Sequence, residues 1–213
     1  MSYALNEVEA LAKRAVRGAG MSWGTAEEAA KATRWLCRNG IDGAGVLSAL
    51  LDHNQGKAEQ DLRPAETSGT WCAVDATQLC ALLAGAALSD GALKLKDASI
   101  AMQRLSFPAL LLPFMASAAA QLNCVLVLEC DAGSASTDGN LLALSNDALL
   151  QATSADVVIR IGDLTGNILS QVSRAKPAPV AWDTLNTYAH KTYAPATEAS
   201  RLAGAGAGLS DND

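Results

Sequence analysis

Apolar residues in the first third of the chain recur at the spacing of an α-helix. Asn6 and Glu9 fit a capping box, and the apolar stripe that follows ends near the glycines at positions 18 and 20. This stripe consists of Val8, Ala12, Ala15 and Val16. The pattern predicts a first helix over about residues 7–17. Thr25 with Glu28 repeats the box, which predicts a second helix over about residues 26–38 and a shorter third one over about residues 44–51.

The middle of the chain changes its pattern several times. Residues 52–69 are polar and contain two glycines and a proline, a composition that favours a loop. Residues 74–88 are long enough for a helix, whereas residues 93–96 alternate with the period of a strand. Residues 108–121 predict a helix that begins or kinks at its prolines.

Apolar runs in the second half predict strands. Residues 123–130 form a continuous run typical of a strand buried on both faces, and residues 141–144 and 157–161 are further strand candidates. The predicted fold class is α/β or α+β, with an N-terminal helical part followed by a small mixed sheet with helices. We expect a helical part over residues 1–55, an α/β core over 70–180 and a C-terminal segment over 181–213, all in one compact domain.

Composition and charge indicate a helix-rich protein and argue against one class of partner. Half of the 213 residues are hydrophobic but only 4% are aromatic, so the chain is rich in alanine and more helix than strand is expected. The formal net charge is −6, and no basic run is longer than Lys13-Arg14. A chain with this charge would repel a phosphate backbone, so nucleic acid is not an expected partner.

Export and metal signals are also missing from the sequence. The first residues lack a basic segment followed by an apolar one, and no stretch reaches the roughly 18 apolar residues of a membrane helix. The five cysteines are an odd number without a CxxC pair, and there are only two histidines. We therefore expect a cytoplasmic protein with free thiols, no membrane partner and no metal site, and the sequence indicates no cofactor.

One cluster of candidate site residues follows the polar loop. Trp71, Cys72 and Asp75 place an indole, a thiol and a carboxylate close together in the sequence. A catalytic cysteine needs a base nearby, and His53 or His190 would have to approach it in space. The alternative is an inert, partly buried thiol, because free cysteine is among the most buried residue types.

A second cluster of candidates lies at predicted strand ends. Glu129 and Asp131 end the apolar run, and Asp163 follows another strand candidate. Ligands of open α/β sheets bind outside the carboxyl ends of the strands, which makes Glu129 a candidate catalytic residue and Asp131 a candidate substrate contact. The same residues are also ordinary turn signals.

Arg34 is a third candidate. It lies beside Trp35 on the second predicted helix, and with Trp23 it would line a pocket where the guanidinium holds a substrate carboxylate. The alternative is a solvated arginine on an amphipathic helix.

The glycine-rich tail supplies the last candidates. Gly204, Gly206 and Gly208 alternate with alanine, which would let the backbone approach a ligand, although the spacing matches no phosphate-binding loop. Glu198 and Arg201 precede them and would be held at the same place if the tail docks. We expect deletion of residues 197–213 to abolish function, and a loosely held terminus is the alternative.

Three segments of the chain carry a resemblance to known proteins. They are Leu5-Asn6-Glu7-Val8 through Trp35-Leu36-Cys37, the stretch of residues 107–114, and the tail segment of residues 198–208. Together they resemble a family of bacterial proteins catalogued as a domain of unknown function, which implies no catalytic residue. The first 45 residues also resemble the second type of malate/lactate dehydrogenase. Gly43-Ala44-Gly45 stands where those enzymes have Ser-His-Gly, so no cofactor is implied.

These observations leave two function hypotheses. The first is a cytoplasmic enzyme of small-molecule metabolism, based on the acidic and thiol groups at predicted strand ends. The second is a noncatalytic accessory subunit or small-molecule-binding protein, based on the missing motif. We also expect a homodimer, because alanine-rich helices pack closely and closed symmetric assemblies are common.

Overall fold

Seven α-helices and ten β-strands form in residues 1–74 and 78–193, the part of the chain that this computed structural model describes. The helices are α1 (Leu5–Gly18), α2 (Trp23–Arg38), α3 (Gly43–His53), α4 (Ala81–Asp90), α5 (Leu112–Leu122), α6 (Ala148–Gln151) and α7 (Pro179–His190). The strands are β1 (Tyr3–Ala4), β2 (Thr70–Trp71), β3 (Leu79–Cys80), β4 (Ile100–Ser106), β5 (Leu126–Cys130), β6 (Gly133–Thr137), β7 (Leu142–Leu144), β8 (Ser154–Ile161), β9 (Asn167–Ile168) and β10 (Arg174–Ala175). The predicted fold class is confirmed.

An eight-stranded mixed sheet organises the second half of the described chain. Its order is β2-β4-β8-β5-β6-β7-β9, and β3 pairs with β4 beside β2. The strands β2 and β3 run parallel to β4, and all other pairs are antiparallel. The strand predictions at residues 141–144 and 157–161 are confirmed with small shifts of their ends.

The N-terminal helices share one hydrophobic core with this sheet. A single cluster of buried apolar residues includes Leu36 of α2, Leu47 of α3 and Leu128 of β5. Helix α1 packs between α2 and α7, and small side chains let the helices approach closely. At Gly18 the approach is so close that a Cβ atom would lie 1.8 Å from the carbonyl oxygen of Tyr188.

Both N-terminal helices begin earlier than their predicted caps. Helix α1 starts at Leu5 because the carboxylate of Glu7 accepts a hydrogen bond from the backbone N–H of Ala4, whereas the prediction used Asn6. Helix α2 starts at Trp23, where Ser22 accepts a hydrogen bond from the backbone N–H of Thr25. The predicted N-caps, Asn6 and Thr25, therefore lie two and three residues after the observed ones.

Three predictions in the middle of the chain need correction. Residues 93–96 form a 3-10 helix (Ala92–Lys96), because one leucine is buried (Leu95, 4% exposed) and the other faces solvent (Leu93, 70% exposed). A strand would have put both on one face. The helix predicted from residue 74 begins only at Ala81, after β3. The strand of residues 123–130 begins only at Leu126; Leu126, Val127 and Leu128 are buried, so both faces are covered there, and only its end, from Glu129, is exposed.

Candidate functional site

An open cleft of about 950 Å³ lies where α1, α3 and α7 end. We call it the helix-end cleft, and it is lined by residues 18–22 and 54–60 together with Leu51, Leu62, Arg63, Tyr188 and Lys191. Gly20, at φ +95°, turns the chain from α1 towards Ser22, and Gly56, at φ +78°, turns it after α3. A backbone with positive φ favours glycine, so these two residues shape the cleft.

Glu59 joins two walls of this cleft. Its carboxylate accepts hydrogen bonds from the backbone N–H of Ser22 at 2.7 Å and from the hydroxyl of Thr25 at 3.0 Å, both at the start of α2. It also accepts one from Arg63 at 2.7 Å. Burial alone would raise the pKa of Glu59, but these hydrogen bonds outweigh it and lower the pKa. The ionised carboxylate therefore sits at a helix N-terminus, where a negative charge is stabilising.

Tyr188 forms the opposite wall. Its hydroxyl donates a hydrogen bond to the carboxylate of Asp52 at 2.9 Å. Burial, together with the neighbouring Asp52, raises the pKa of Tyr188 to about 12. The phenol is thus protonated at neutral pH. The ammonium of Lys191 lies 4.5 Å from the centre of the same ring, which is cation–π distance.

The pH dependence of stability offers a test of the Glu59 network. The pKa of Glu59 in the folded protein is below its ordinary value of 4.5, so its contribution is present above about pH 4.5 and is lost as the pH falls through the folded pKa. We expect Glu59→Gln to lower the free energy of unfolding at pH 7 by about 1.5–3 kcal/mol. In urea unfolding, this difference from the wild type should shrink steadily below about pH 4.5.

Glu28→Gln is the control for that measurement. Glu28 forms only an exposed pair with Lys31, so its loss should change stability by about 0.5 kcal/mol at most. A difference between wild type and Glu59→Gln that stays constant across this pH range would contradict the role given to the Glu59 carboxylate.

The first cluster of predicted site residues is split between core and surface. Trp71 is 1% exposed and lies in the core, where its strand pairs with Met102 of β4. Cys72 is partly exposed, and its thiol donates to the side-chain oxygen of Gln103 at 3.3 Å. Among the described residues no histidine is a hydrogen-bond partner of this thiol.

The carboxylates at strand ends do not converge. The strands β5 and β8 are neighbours and antiparallel, with Leu126 opposite Ile161. Glu129 and Asp163 therefore lie towards opposite ends of this pair of strands. The carboxyl ends of neighbouring strands lie together only where the strands are parallel, so these carboxylates do not form one site. Glu129 binds Arg160 at 2.6 Å, and this hydrogen bond lowers its pKa. Asp131 directly follows β5 in a turn.

Arg34 is engaged on the surface of the helical part. Its guanidinium donates to the carboxylate of Glu9 on α1 at 2.8 Å. Trp23 instead lies against Arg17, whose guanidinium carbon is 4.5 Å from the ring centre. The predicted pocket of Arg34 with two tryptophans is therefore not assembled.

The remaining predicted site residues are Asp75, Glu198, Arg201, Gly204 and Gly206, and they lie outside the described residues. Their roles stay predictions. The residues that line the helix-end cleft, such as Lys57, Glu59 and Lys191, were missed in the sequence. Residues 52–69 were interpreted only as a loop, and the clustered charges in that loop were the signal available.

Two further properties concern metals and membranes. In residues 1–74 and 78–193, no three His, Cys, Asp or Glu side chains come together in a group suited to a metal ion. Within the same ranges, no helix has the length and apolar character needed to cross a membrane.

Comparisons with known proteins find similarity at two levels. Residues 3–79 match the family described as "Protein of unknown function (DUF3726)", which confirms the resemblance to a family of unknown function over the N-terminal helices. No curated protein matches the chain. The crystal structure of malate dehydrogenase from Entamoeba histolytica is weakly similar, with 12% identity and a TM-score of 0.47 over 78% of this chain. The matched part is 50% of that enzyme, so this chain spans about half its length.

Proposed function

We propose that this protein binds a small polar metabolite in the helix-end cleft. The observation that carries the proposal is the cleft itself, whose volume of about 950 Å³ is at the upper end of the range of ligand sites. Met21, Leu51 and Leu62 supply apolar surface, and charged and amide side chains surround it. Such a combination is typical of sites that bury a small molecule and orient it with a few polar groups.

Hydrogen bonds within the protein hold the walls of the cleft in place. Glu59 ties the segment after α3 to the start of α2, and Tyr188 ties α7 to Asp52 at the end of α3. A preformed site avoids part of the entropic cost of ordering side chains when the ligand binds. This supports binding in the observed geometry.

The protonation states favour binding over proton transfer. Glu59 is ionised and surrounded by donors, and Tyr188 is protonated far above neutral pH, so neither is poised to exchange a proton near pH 7. This supports the small-molecule-binding alternative of the two function hypotheses.

An enzyme of small-molecule metabolism is the second candidate. The observation that favours it is the approach of His53 to Lys57, whose Nε2 and Nζ atoms are 3.2 Å apart beside the cleft. Histidine is the side chain that enzymes use most often to transfer protons. With this second candidate we also propose a cytoplasmic location, a homodimer, and catalytic roles for Cys72 and Glu129.

A cleft-filling substitution tests the proposed function. Ala58 lines the cleft and is only partly exposed, so Ala58→Trp would place a large ring in the space for the ligand. We expect wild-type protein dialysed against a bacterial metabolite extract to retain at least one small molecule, detected by mass spectrometry after denaturation. The Ala58→Trp protein should not retain it.

Ala98→Trp provides the matched control, because Ala98 is exposed and does not line the cleft. It should retain the same molecule as the wild type. Retention by Ala58→Trp at the wild-type level would show that the ligand binds elsewhere, and retention of nothing by the wild type would contradict the proposal.

A further inference from the structure

We infer that the ligand of the helix-end cleft is a small hydroxylated anion, either a carboxylate or a phosphate ester. This inference rests on the proposed function and adds the chemical class of the ligand. Its basis is the charge of the cleft, which is opposite in sign to the charge of the whole chain.

Among the residues that the structure describes, four charged side chains line the cleft. Lys57, Arg63 and Lys191 are cations and Glu59 is the single anion, so the lining carries a net charge of +2. The complete chain carries −6. A concentration of positive charge in a concave site attracts anions and raises their local concentration. A second cleft, of about 560 Å³, has the opposite lining, since its described residues include Asp42 and Asp147 and no cation.

Two of the cations are available to a ligand. Arg63 is bound to Glu59 at 2.7 Å, so this pair is neutralised internally. Among the described residues, neither Lys57 nor Lys191 forms an ion pair with a carboxylate. Lys191 is held against the ring of Tyr188, and Lys57 lies beside His53. Both lysines line the cleft, one in the segment after α3 and the other directly after α7.

The ends of the helices do not cancel this positive charge. Three helices end at the cleft and one begins there, and each end carries a partial charge of about one half, so together they contribute about −1. The lining side chains contribute +2. Behind them, the carboxylate of Asp52 on Tyr188 and the guanidinium of Arg17 on the carbonyl of Met21 offset each other, so a positive charge remains. The simpler interpretation, in which the lysines only offset the helix ends, accounts for part of their charge and not for all of it.

Amide side chains in the cleft provide hydrogen-bonding groups for the uncharged part of the ligand. Gln55 and Gln60 line the cleft and are exposed, and each amide both donates and accepts hydrogen bonds. Hydroxyl groups match such amides because they also donate and accept. A molecule that combines an anionic group with hydroxyl groups would engage the lysines and the amides together.

Matched pairs of probes test the charge requirement. Gluconate and sorbitol are open-chain polyols that differ mainly in the carboxylate, and glycerol phosphate and glycerol differ only in the phosphate. In isothermal titrations of the full chain at low salt, we expect saturable binding of one or both anions and none of sorbitol or glycerol. Binding of gluconate alone would assign a carboxylate, and binding of glycerol phosphate alone would assign a phosphate ester.

Lysine variants test the position of the anion. Lys57→Gln and Lys191→Gln keep polar side chains on exposed positions, so both should fold, as verified by circular dichroism. Each should weaken anion binding at least about tenfold, because a hydrogen bond to a charged group is lost. Lys96→Gln, which changes a lysine outside the cleft, should leave the affinity unchanged.

Three results would overturn the inference. They are the absence of saturable anion binding, equal binding of the neutral probes, and an equal loss of affinity in the Lys96→Gln control. A neutral metabolite retained in the dialysis experiment, or one retained equally by both lysine variants, would overturn the anionic class while the proposed function stands. Retention of no metabolite would count against the proposed function itself.

Discussion

A Trp71→Ala variant is expected to lose about 3–5 kcal/mol of unfolding free energy, a large part of the stability of a typical domain. Trp71 is among the largest fully buried side chains, and it lies where β2 joins the sheet through β4. Its removal would leave a cavity that the neighbouring Met102 cannot fill. Urea unfolding followed by circular dichroism measures the effect without relying on tryptophan fluorescence.

Trp23→Ala is the control for that variant. The side chain of Trp23 is 64% exposed, and its main contact is with the guanidinium of Arg17. Its loss should cost only about 0.5–1 kcal/mol, the value of an exposed cation–π contact. If Trp71→Ala kept the unfolding free energy of the wild type but no longer bound the ligand, Trp71 would be a binding residue, as its position in the sequence suggested.

A Gly18→Ala variant should lose about 3 kcal/mol of unfolding free energy, at the upper end of what overpacking costs. The new Cβ would lie 1.8 Å from the carbonyl oxygen of Tyr188, which is backbone and cannot rotate away. Helices α1 and α7 would have to separate. Because Gly18 and Tyr188 both line the helix-end cleft, ligand binding should weaken in the same variant.

Gly24→Ala separates this steric effect from the general effect of replacing a helical glycine. A Cβ at Gly24 meets nothing within 4 Å, so alanine should be neutral there or raise stability by up to about 1 kcal/mol. Thermal unfolding of both variants makes the comparison. Equal midpoints for Gly18→Ala and the wild type would show that α1 and α7 do not pack as described.

The parts of the fold that were predictable are those specified by neighbouring residues. The stripe that includes Val8, Ala12 and Val16 is buried as one face of α1, and the apolar run at Leu126, Val127 and Leu128 is buried in β5. In α1 the apolar residues recur with the period of a helix, whereas the unbroken run of β5 suits a strand covered on both faces. In each element, burial of the apolar side chains stabilises the structure.

The parts that were not predictable depend on distant partners. The strand β4 contains a bulge between Met102 and Leu105, and Arg104 within it has a φ of +48°, so its side chains do not alternate cleanly. The strand β6 is formed mostly by glycine, serine and alanine, which have weak strand preference, and its pairing with β5 and β7 holds it in the sheet. Helix α7 was not predicted at all, and it is held by packing against α1 and α3.

By itself the sequence determined the local structure: where the N-terminal helices lie, which runs become buried strands, and that the chain is acidic with few aromatic side chains. Only the tertiary structure decided that the sheet is largely antiparallel, which separates Glu129 from Asp163. It also brought Lys57 and Lys191 to one cleft. The physical reason is that the periodicity of apolar residues shows which face of an element is buried. Strand direction and the position of helix ends depend instead on packing between distant parts of the chain. The close contact of Gly18 with the backbone of α7 is an example of such packing.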